Sequence, residues 1–414
     1  MPWPRPATAN TDSRRVVVTG AGIVSPMGIG FAENADGFHS GKTAFSHVTL
    51  FDVSRQRVQT AGVVNLPETD GIIPRRIMSR IDRGTLMAWH AAREAMAAAG
   101  IDGGRMPMIV GTSAAAMPVG EAYFKAAHET TVSRRAQLHR VEIYQTQRQM
   151  LELARLLKID GPARIVSNAC ASGANAIGHA FQLVREGRAD RVLAGGYDPL
   201  CQLVFAGFDS LQALSPSGIP RPFDAARDGL ALGEGAGFVV VESAASAKSR
   251  GARVIAEITG YGAATDIHHL TQPHPQGDAA LATMTAACAM AGVSPDQIDY
   301  INSHGTGTPL NDVAEGIAIQ RWAGDAVSTI KVSSTKSAIG HLLGGAGAVE
   351  SVICLMAMEG QWLPASLNVR EPDPVCTFDL VREPRDARVA RVITNSFGFG
   401  GANATLVFEK EDKA

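Results

Sequence analysis

Two stretches far apart in this chain follow the same plan. ARIVSNACASGANAIGHAFQLV, residues 163–184, runs from an apolar β-branched segment through a small-residue turn into an alanine-rich helix pattern. TIKVSSTKSAIGHLLGGAGAVESVICLM, residues 329–356, does the same. The parallel extends through the rest of the sequence. RRVVVTGAGIVSPMG matches RVIAEITGYGAATD, and RMPMIVGTS matches QIDYINSHGTGT. RVLAGGYD followed by GFVVVES matches RVITNSFGFG followed by ATLVFEK. Each half, 14–250 and 251–410, reads as strands alternating with helices, the pattern of a layered α/β unit. Two such pseudo-repeated βαβ halves are expected to pack as one five-layer αβαβα body. No linker rich in Pro, Ser or charge divides them. The 414 residues are therefore expected to form one inseparable unit, although length alone suggests two or three domains.

Composition narrows the function classes. Hydrophobic residues make up 45%, ordinary for a globular protein, and a net charge of −2 gives no case for nucleic acid. Five scattered cysteines, an odd number, argue against a disulfide framework and for a reducing, cytoplasmic setting. MPWPRPATANTD at the start lacks an apolar signal core, and residues 1–13 are expected to be a disordered tail. No run of about 18 consecutive apolar residues predicts a membrane span. TGAGIVSPMG looks like a dinucleotide fingerprint, but Ser25 stands where the third glycine belongs, and Gly20 and Gly22 read as tight-turn glycines.

The chemistry-bearing residues sit at strand ends. Cys170 lies in SNACASG, between the apolar run ending at Val166 and a helix pattern. Unpaired N–H groups and the dipole at a helix N-terminus favour thiolate over thiol, so this cysteine is a candidate nucleophile. A buried cysteine acting as a small hydrophobe is the alternative. His304 lies in YINSHGTGTPLND, and Lys336 and His341 lie in SSTKSAIGHLLGG. A Cys/His/His set also suits zinc, but none of these residues has the close spacing that holds most metal sites, and no metal is expected. Cys201, Cys288, Cys354 and Cys376 have no comparable turn and read as structural.

The cysteine turn, HGTGTPLND, KSAIGH and the closing NSFGFGGANAT (395–405), in that order, resemble the elongating β-ketoacyl-ACP synthases of type II fatty acid and polyketide synthesis. The likeness covers nearly the whole chain. It implies a thiolase-type fold and a decarboxylative Claisen condensation between an acyl thioester on Cys170 and malonyl-ACP. His304 and His341 would stabilise the enolate oxygen, an oxyanion-hole logic. Lys336 would pair with Glu350 and order the site electrostatically. Thr306 and Thr308 match hydroxyls that hold the pantetheine arm or malonyl group. The Phe399 backbone N–H would join that of Cys170 in a second oxyanion hole, its ring gating the acyl pocket, whereas Phe397 reads as core packing. The resemblance implies no cofactor beyond the 4′-phosphopantetheine of acyl carrier protein.

It also implies partners. Arg75, Arg76, Arg80 and Arg83 fall in PRRIMSRIDRG, and helical spacing of 76, 80 and 83 places three guanidiniums on one face. Such a patch matches the place where the family docks its acidic carrier protein, with electrostatic steering. Residues 117–150 depart from the family pattern in a region that lines its acyl pocket and dimer interface. This segment carries Arg134, Arg135, Arg140 and Arg148 against two acids, Glu129 and Glu142, from residue 125 onward. Like charges facing each other across an identical pair favour a heterodimer with a ketosynthase-like chain-length subunit; a homodimer with solvated arginines is the alternative. The expected setting is a specialised polyketide or polyene pathway, with housekeeping fatty acid elongation as the alternative. A thiolase would need a second cysteine near the C-terminus, which NSFGFGGAN lacks, and Cys170 argues against a silent chain-length subunit.

Overall fold

The computed structural model describes residues 14–67, 72–129 and 137–410. The expected tail, 1–13, lies outside the described residues. In chain order the first half contains β1 (Val16–Ser25), α1 (Arg75–Met78), α2 (Arg83–Ala98), β2 (Met108–Gly111), α3 (Met117–Glu129), α4 (Leu138–Tyr144) and α5 (Thr146–Leu156). It continues with β3 (Ala163–Val166), α6 (Ser172–Arg185), β4 (Arg191–Asp198), α7 (Gln202–Ser210) and β5 (Gly235–Ser243). The second half contains β6 (Ala256–Thr265), α8 (Asp278–Ala291), β7 (Tyr300–Asn302), α9 (Pro309–Ala323) and β8 (Lys331–Ser333). α10 (Ala346–Gly360), β9 (Arg391–Phe397) and β10 (Ala402–Glu409) close it.

The strand order repeats. Outward from the junction of the halves, one side runs β1-β5-β4-β2-β3 and the other β6-β10-β9-β7-β8. β2 is parallel to β3 and β4, and β7 is parallel to β8 and β9; β5 and β10 are antiparallel to their neighbours. β1 meets β6 only through Val17↔Glu257 and Val18↔Ala256.

Helices fill the layers between and outside. α2 packs on β1, β5 and β4, and α8 packs on β6 and β10. α6 and α10 touch each other and strands of both halves. The result is the five-layer thiolase-type arrangement. β1 and β5 are buried along their whole length because helices cover both faces, which is why VVVT in β1 and FVVV in β5 do not alternate apolar with charged residues. Leu343–Gly360, the one described helical stretch long and apolar enough to cross a membrane, is instead buried in the central layer.

Gly20 and Gly22 are not turn residues as expected. They lie inside β1, where an added Cβ would meet Ala95 O at 2.0 Å and Ala91 O at 2.1 Å on α2. Gly260 and Gly262 in β6 meet Ala287 O and Thr283 O on α8 in the same way, each at 2.1 Å. Helix-to-sheet approach, not phosphate binding, requires these glycines.

Candidate active site

Cys170 sits at a sharp elbow between β3 and α6. Ala169 takes φ 52°, a left-handed conformation that costs a non-glycine residue about 1–3 kcal/mol. Ser172 ties the elbow together: its Oγ accepts from Asn168 N–H (2.9 Å) and donates to Ala169 O (2.6 Å). The thiol is 7% exposed, and its Sγ lies 2.9 Å from His341 Nε2. The Phe399 N–H is directed at the sulfur.

The helix N-terminus does not by itself make this cysteine a thiolate. Burial pushes the thiol up to about 12, opposed by the Lys336 ammonium and the Phe399 N–H. Desolvation of the charged form outweighs both. The proton therefore needs an acceptor at contact distance, and His341 is in that position. Burial, then Lys336, pushes His341 well below the usual imidazole range, so the ring is neutral. His304 is held neutral by burial, Lys336 and His341. The two rings stand edge to face, with centroids 5.3 Å apart. Neither Nδ1 has a hydrogen-bond partner among the described residues, so no contact locks either tautomer.

Lys336, at the start of a short helix after β8, is fully buried and paired with the buried Glu350 of α10. Its charge thus acts on Cys170 and both histidines from inside the protein.

Sequence reading missed the carboxylates that hold the His304 loop. Glu315 Oε1 accepts from His304 N–H (2.8 Å) and Oε2 from Gly305 N–H (2.7 Å), and burial raises this carboxyl to about 7. Asp312 accepts from the N–H groups of Thr306 and Gly307. The available signal was spacing: Asp312 and Glu315 stand three apart on α9, on one helix face just after the loop. Thr306 and Thr308 hydroxyls lie 2.8 Å apart. Both threonines line a cavity of about 390 Å³ with Cys170, His304, His341 and Phe399. The Phe399 ring is 40% exposed and stacks on Phe208 (5.8 Å). Phe397, expected to be plain core, also lines this cavity, 5.6 Å from the His304 ring.

The arginine cluster is not one helical face. α1 ends at Met78, and a separate α2 begins at Arg83, capped by Asp82, whose Oδ1 accepts from Thr85 N–H (2.8 Å). Arg83 turns inward to the fully buried Glu234, 2.6 Å away. Arg75, Arg76 and Arg80 remain exposed, with no ion pair among the described residues. In the atypical segment, Arg134 and Arg135 lie outside the described residues. Arg148 is paired with Glu142 (3.3 Å) and the buried Glu152 (2.9 Å), and Arg140 bonds Gln137 and the Ala122 carbonyl. The described arginines of this segment, Arg140 and Arg148, therefore have partners within the chain, although Arg148 Nε itself makes no hydrogen bond among the described residues. α3, α4 and α5 expose large apolar side chains, Phe124 (63%), Leu138 (61%), Leu151 (55%), Val141 and Tyr144, beside the exposed polar Lys125, His128, His139, Glu142, Gln147 and Arg155.

Residues 13–247 match the beta-ketoacyl synthase N-terminal domain, and residues 255–370 match the beta-ketoacyl synthase C-terminal domain. The chain is 35% identical to 3-oxoacyl-(acyl-carrier-protein) synthase 2 of Staphylococcus aureus strain COL, covering 97% of this chain and 99% of the relative. A Synechocystis protein of the same name is 36% identical over the same shares. Among solved structures, "The ishigamide ketosynthase/chain length factor" superposes with a TM-score of 0.90 at 34% identity, over 97% of this chain and 100% of that one. "AntDE:AntF (apo): type II PKS acyl-carrier protein in complex with its ketosynthase bound to the hexaketide" does so with a TM-score of 0.86 at 28% identity, over the same shares. Matched along nearly its whole length in sequence and in fold, the chain belongs to the β-ketoacyl synthase family.

Proposed function

We propose that this protein is an acyltransferase that condenses an acyl thioester with malonyl-ACP, with loss of carbon dioxide. The observation that carries the reading is the 2.9 Å approach of Cys170 Sγ to the neutral His341, with His304 beside it in one cavity. Cys170 gives its proton to His341 Nε2 and attacks the acyl-ACP carbonyl. The carrier sulfur leaves and takes a proton from solvent, the acyl group remains on the Cys170 sulfur, and His341 keeps the transferred proton on Nε2. Malonyl-ACP then loses carbon dioxide, and its enolate oxygen takes hydrogen bonds from the Nε2–H groups of His304 and His341. The enolate carbon attacks the Cys170 thioester, whose oxygen is held by the N–H groups of Cys170 and Phe399. Collapse yields the 3-oxoacyl-ACP and frees the Cys170 sulfur, which takes its proton back from His341 Nε2. Lys336, fixed by Glu350, supplies positive potential, while Thr306 and Thr308 hold the pantetheine arm. The halves 14–250 and 251–410 act as one unit, because the first supplies Cys170 and the second supplies His304, Lys336, His341 and Phe399.

The carrier protein docks on Arg75, Arg76 and Arg80. A second ketosynthase-fold chain covers the exposed apolar side chains of α3, α4 and α5. The likeness to a ketosynthase/chain length factor supports a non-identical partner and a specialised polyketide or polyene pathway. The five unpaired cysteines suit a reducing, cytoplasmic setting. The test is to incubate the protein, alone and with its ketosynthase-like genomic neighbour, with acyl-ACP and malonyl-ACP. Mass spectrometry should find acyl-Cys170 and 3-oxoacyl-ACP, with carbon dioxide released in equal amount. No acyl adduct on Cys170 under turnover would refute the assignment.

A further inference from the structure

We propose that Asp198, at the end of β4, is a positioning residue that clamps the turn after β2 to the turn after His341 and so holds His341 against Cys170. The inference rests on the reading of Cys170 and His341 as the reacting pair.

The clamp is made entirely of acceptor contacts. Asp198 Oδ1 accepts from Thr112 Oγ1 (2.5 Å) and from the N–H groups of Ala114 (2.8 Å), Ser113 (3.0 Å) and Ala115 (3.1 Å). Oδ2 accepts from Ser113 Oγ (2.6 Å), Ser113 N–H (3.0 Å) and Gly344 N–H (2.6 Å). Every backbone partner is a donor, so the group serves as a carboxylate. It is fully buried and has no ion pair among the described residues. Burial raises the Asp198 carboxyl, and the ring of O–H and N–H donors works against that rise.

Both clamped turns contain a non-glycine in the left-handed region: Ala115 at φ 44° and Leu343 at φ 51°. Such residues persist only where the surroundings over-determine them. Gly344 fits because it has no side chain; a Cβ there would meet Ser113 N at 2.6 Å and Asp198 Oδ2 at 2.9 Å. Gly344 is three residues beyond His341 and belongs to the second half, whereas Asp198 and the 112–115 turn belong to the first. One carboxylate therefore ties the histidine's segment to the half that carries the nucleophile.

Asp198 also acts through charge. The charged groups facing Cys170 are Lys336, which favours the thiolate, and Asp198 and Glu350, which oppose it; His341 and the Phe399 N–H make the direct contacts. Asp198 itself faces Cys170, Tyr197 and Cys201. Burial is the main reason Cys170 stays protonated, and the Asp198 charge adds to it.

The experiment is Asp198→Asn in the full chain with any partner subunit it requires. The amide N–H group cannot accept from Gly344, so the clamp opens and the charge is lost. The expected result is a fall in kcat of about 10- to 100-fold, with KM for acyl-ACP within about twofold. The pH midpoint for Cys170 alkylation by iodoacetamide should move down by about half a unit or more, since a nearby negative charge is gone. Unchanged kcat in a folded variant, or loss of kcat with an unmoved alkylation midpoint, would overturn the proposal. If the variant does not fold, Ser113→Ala removes one donor from the same oxygen. It should lower kcat by about threefold or more in proportion to the lost clamp, and unchanged kcat overturns the proposal. Alkylation is read on Cys170 without turnover, so it separates this proposal from the condensation reading, which fails if Cys170→Ala still condenses.

Discussion

Cys170 and His341, 171 residues apart, meet at 2.9 Å from equivalent places in the two pseudo-repeats. Each follows the third strand of its half and precedes a helix of the central layer, α6 or α10. The pseudo-symmetry that stacks the halves thereby brings their strand-end turns face to face. One turn carries the sulfur and the other the imidazole and the Lys336 ammonium.

Cys170→Ala is expected to abolish acyl transfer and condensation with the fold intact, because alanine fits the same elbow. Cys170→Gln should still decarboxylate malonyl-ACP. His304→Ala should cut decarboxylation by about 10²–10³-fold, more than it cuts self-acylation, whereas His341→Ala should cut both steps, because His341 also takes the Cys170 proton. Carbon dioxide release and acyl-enzyme mass separate the two steps, and wild-type decarboxylation in His341→Ala would remove its enolate role.

Lys336→Ala should raise the pH at which Cys170 is alkylated, since Lys336 opposes the burial that pushes the thiol to about 12. It should also raise the histidine pKa values that Lys336 depresses, so activity is lost at a higher pH on the acid side. Leaving Glu350 buried and unpaired is expected to cost about 3–5 kcal/mol of stability. Lys336→Met with Glu350→Leu should recover most of that stability but not the activity, as read by denaturant titration and turnover.

Arg76→Glu with Arg80→Glu should raise KM for acyl-ACP and weaken its dependence on salt, with little change toward a small pantetheine thioester. Arg83→Glu should behave differently. It breaks a pair with buried Glu234, so unfolding stability should fall by about 3–5 kcal/mol and both substrates should suffer. Equal losses from the Arg76/Arg80 variant on both substrates would remove the docking assignment.

Leu138→Asp or Leu151→Asp should release the partner subunit without unfolding this chain, because both are large apolar side chains exposed on α4 and α5. Light scattering of the chain expressed with its ketosynthase-like neighbour should show a 1:1 complex that either substitution dissociates. A stable homodimer that elongates acyl-ACP repeatedly on its own would refute the heterodimer and leave the condensation chemistry standing.

Local pattern made much of this protein legible. The paired strand–turn–helix stretches imply two layered halves, since β-branched runs and small-residue turns encode strand ends directly. Cys170, His304, Lys336 and His341 stand out for the same reason: each sits in a turn whose composition is itself the signal. Tertiary structure alone decided the rest. Burial, a property of the whole fold, overrides the helix N-terminus in setting the Cys170 proton. Arg83 looks like its neighbours in sequence, yet Glu234, 151 positions away, draws it inward and away from the exposed Arg75, Arg76 and Arg80. Arg148 reads as an excess charge until Glu152 folds beneath it. Asp198 and Glu315 are ordinary acids in the chain; only backbone N–H groups brought by the fold, from two separate turns for Asp198 and from the His304 turn for Glu315, make clamps of them. Interactions within a few residues are written in sequence periodicity, whereas desolvation and long-range pairing exist only once distant segments exclude water together.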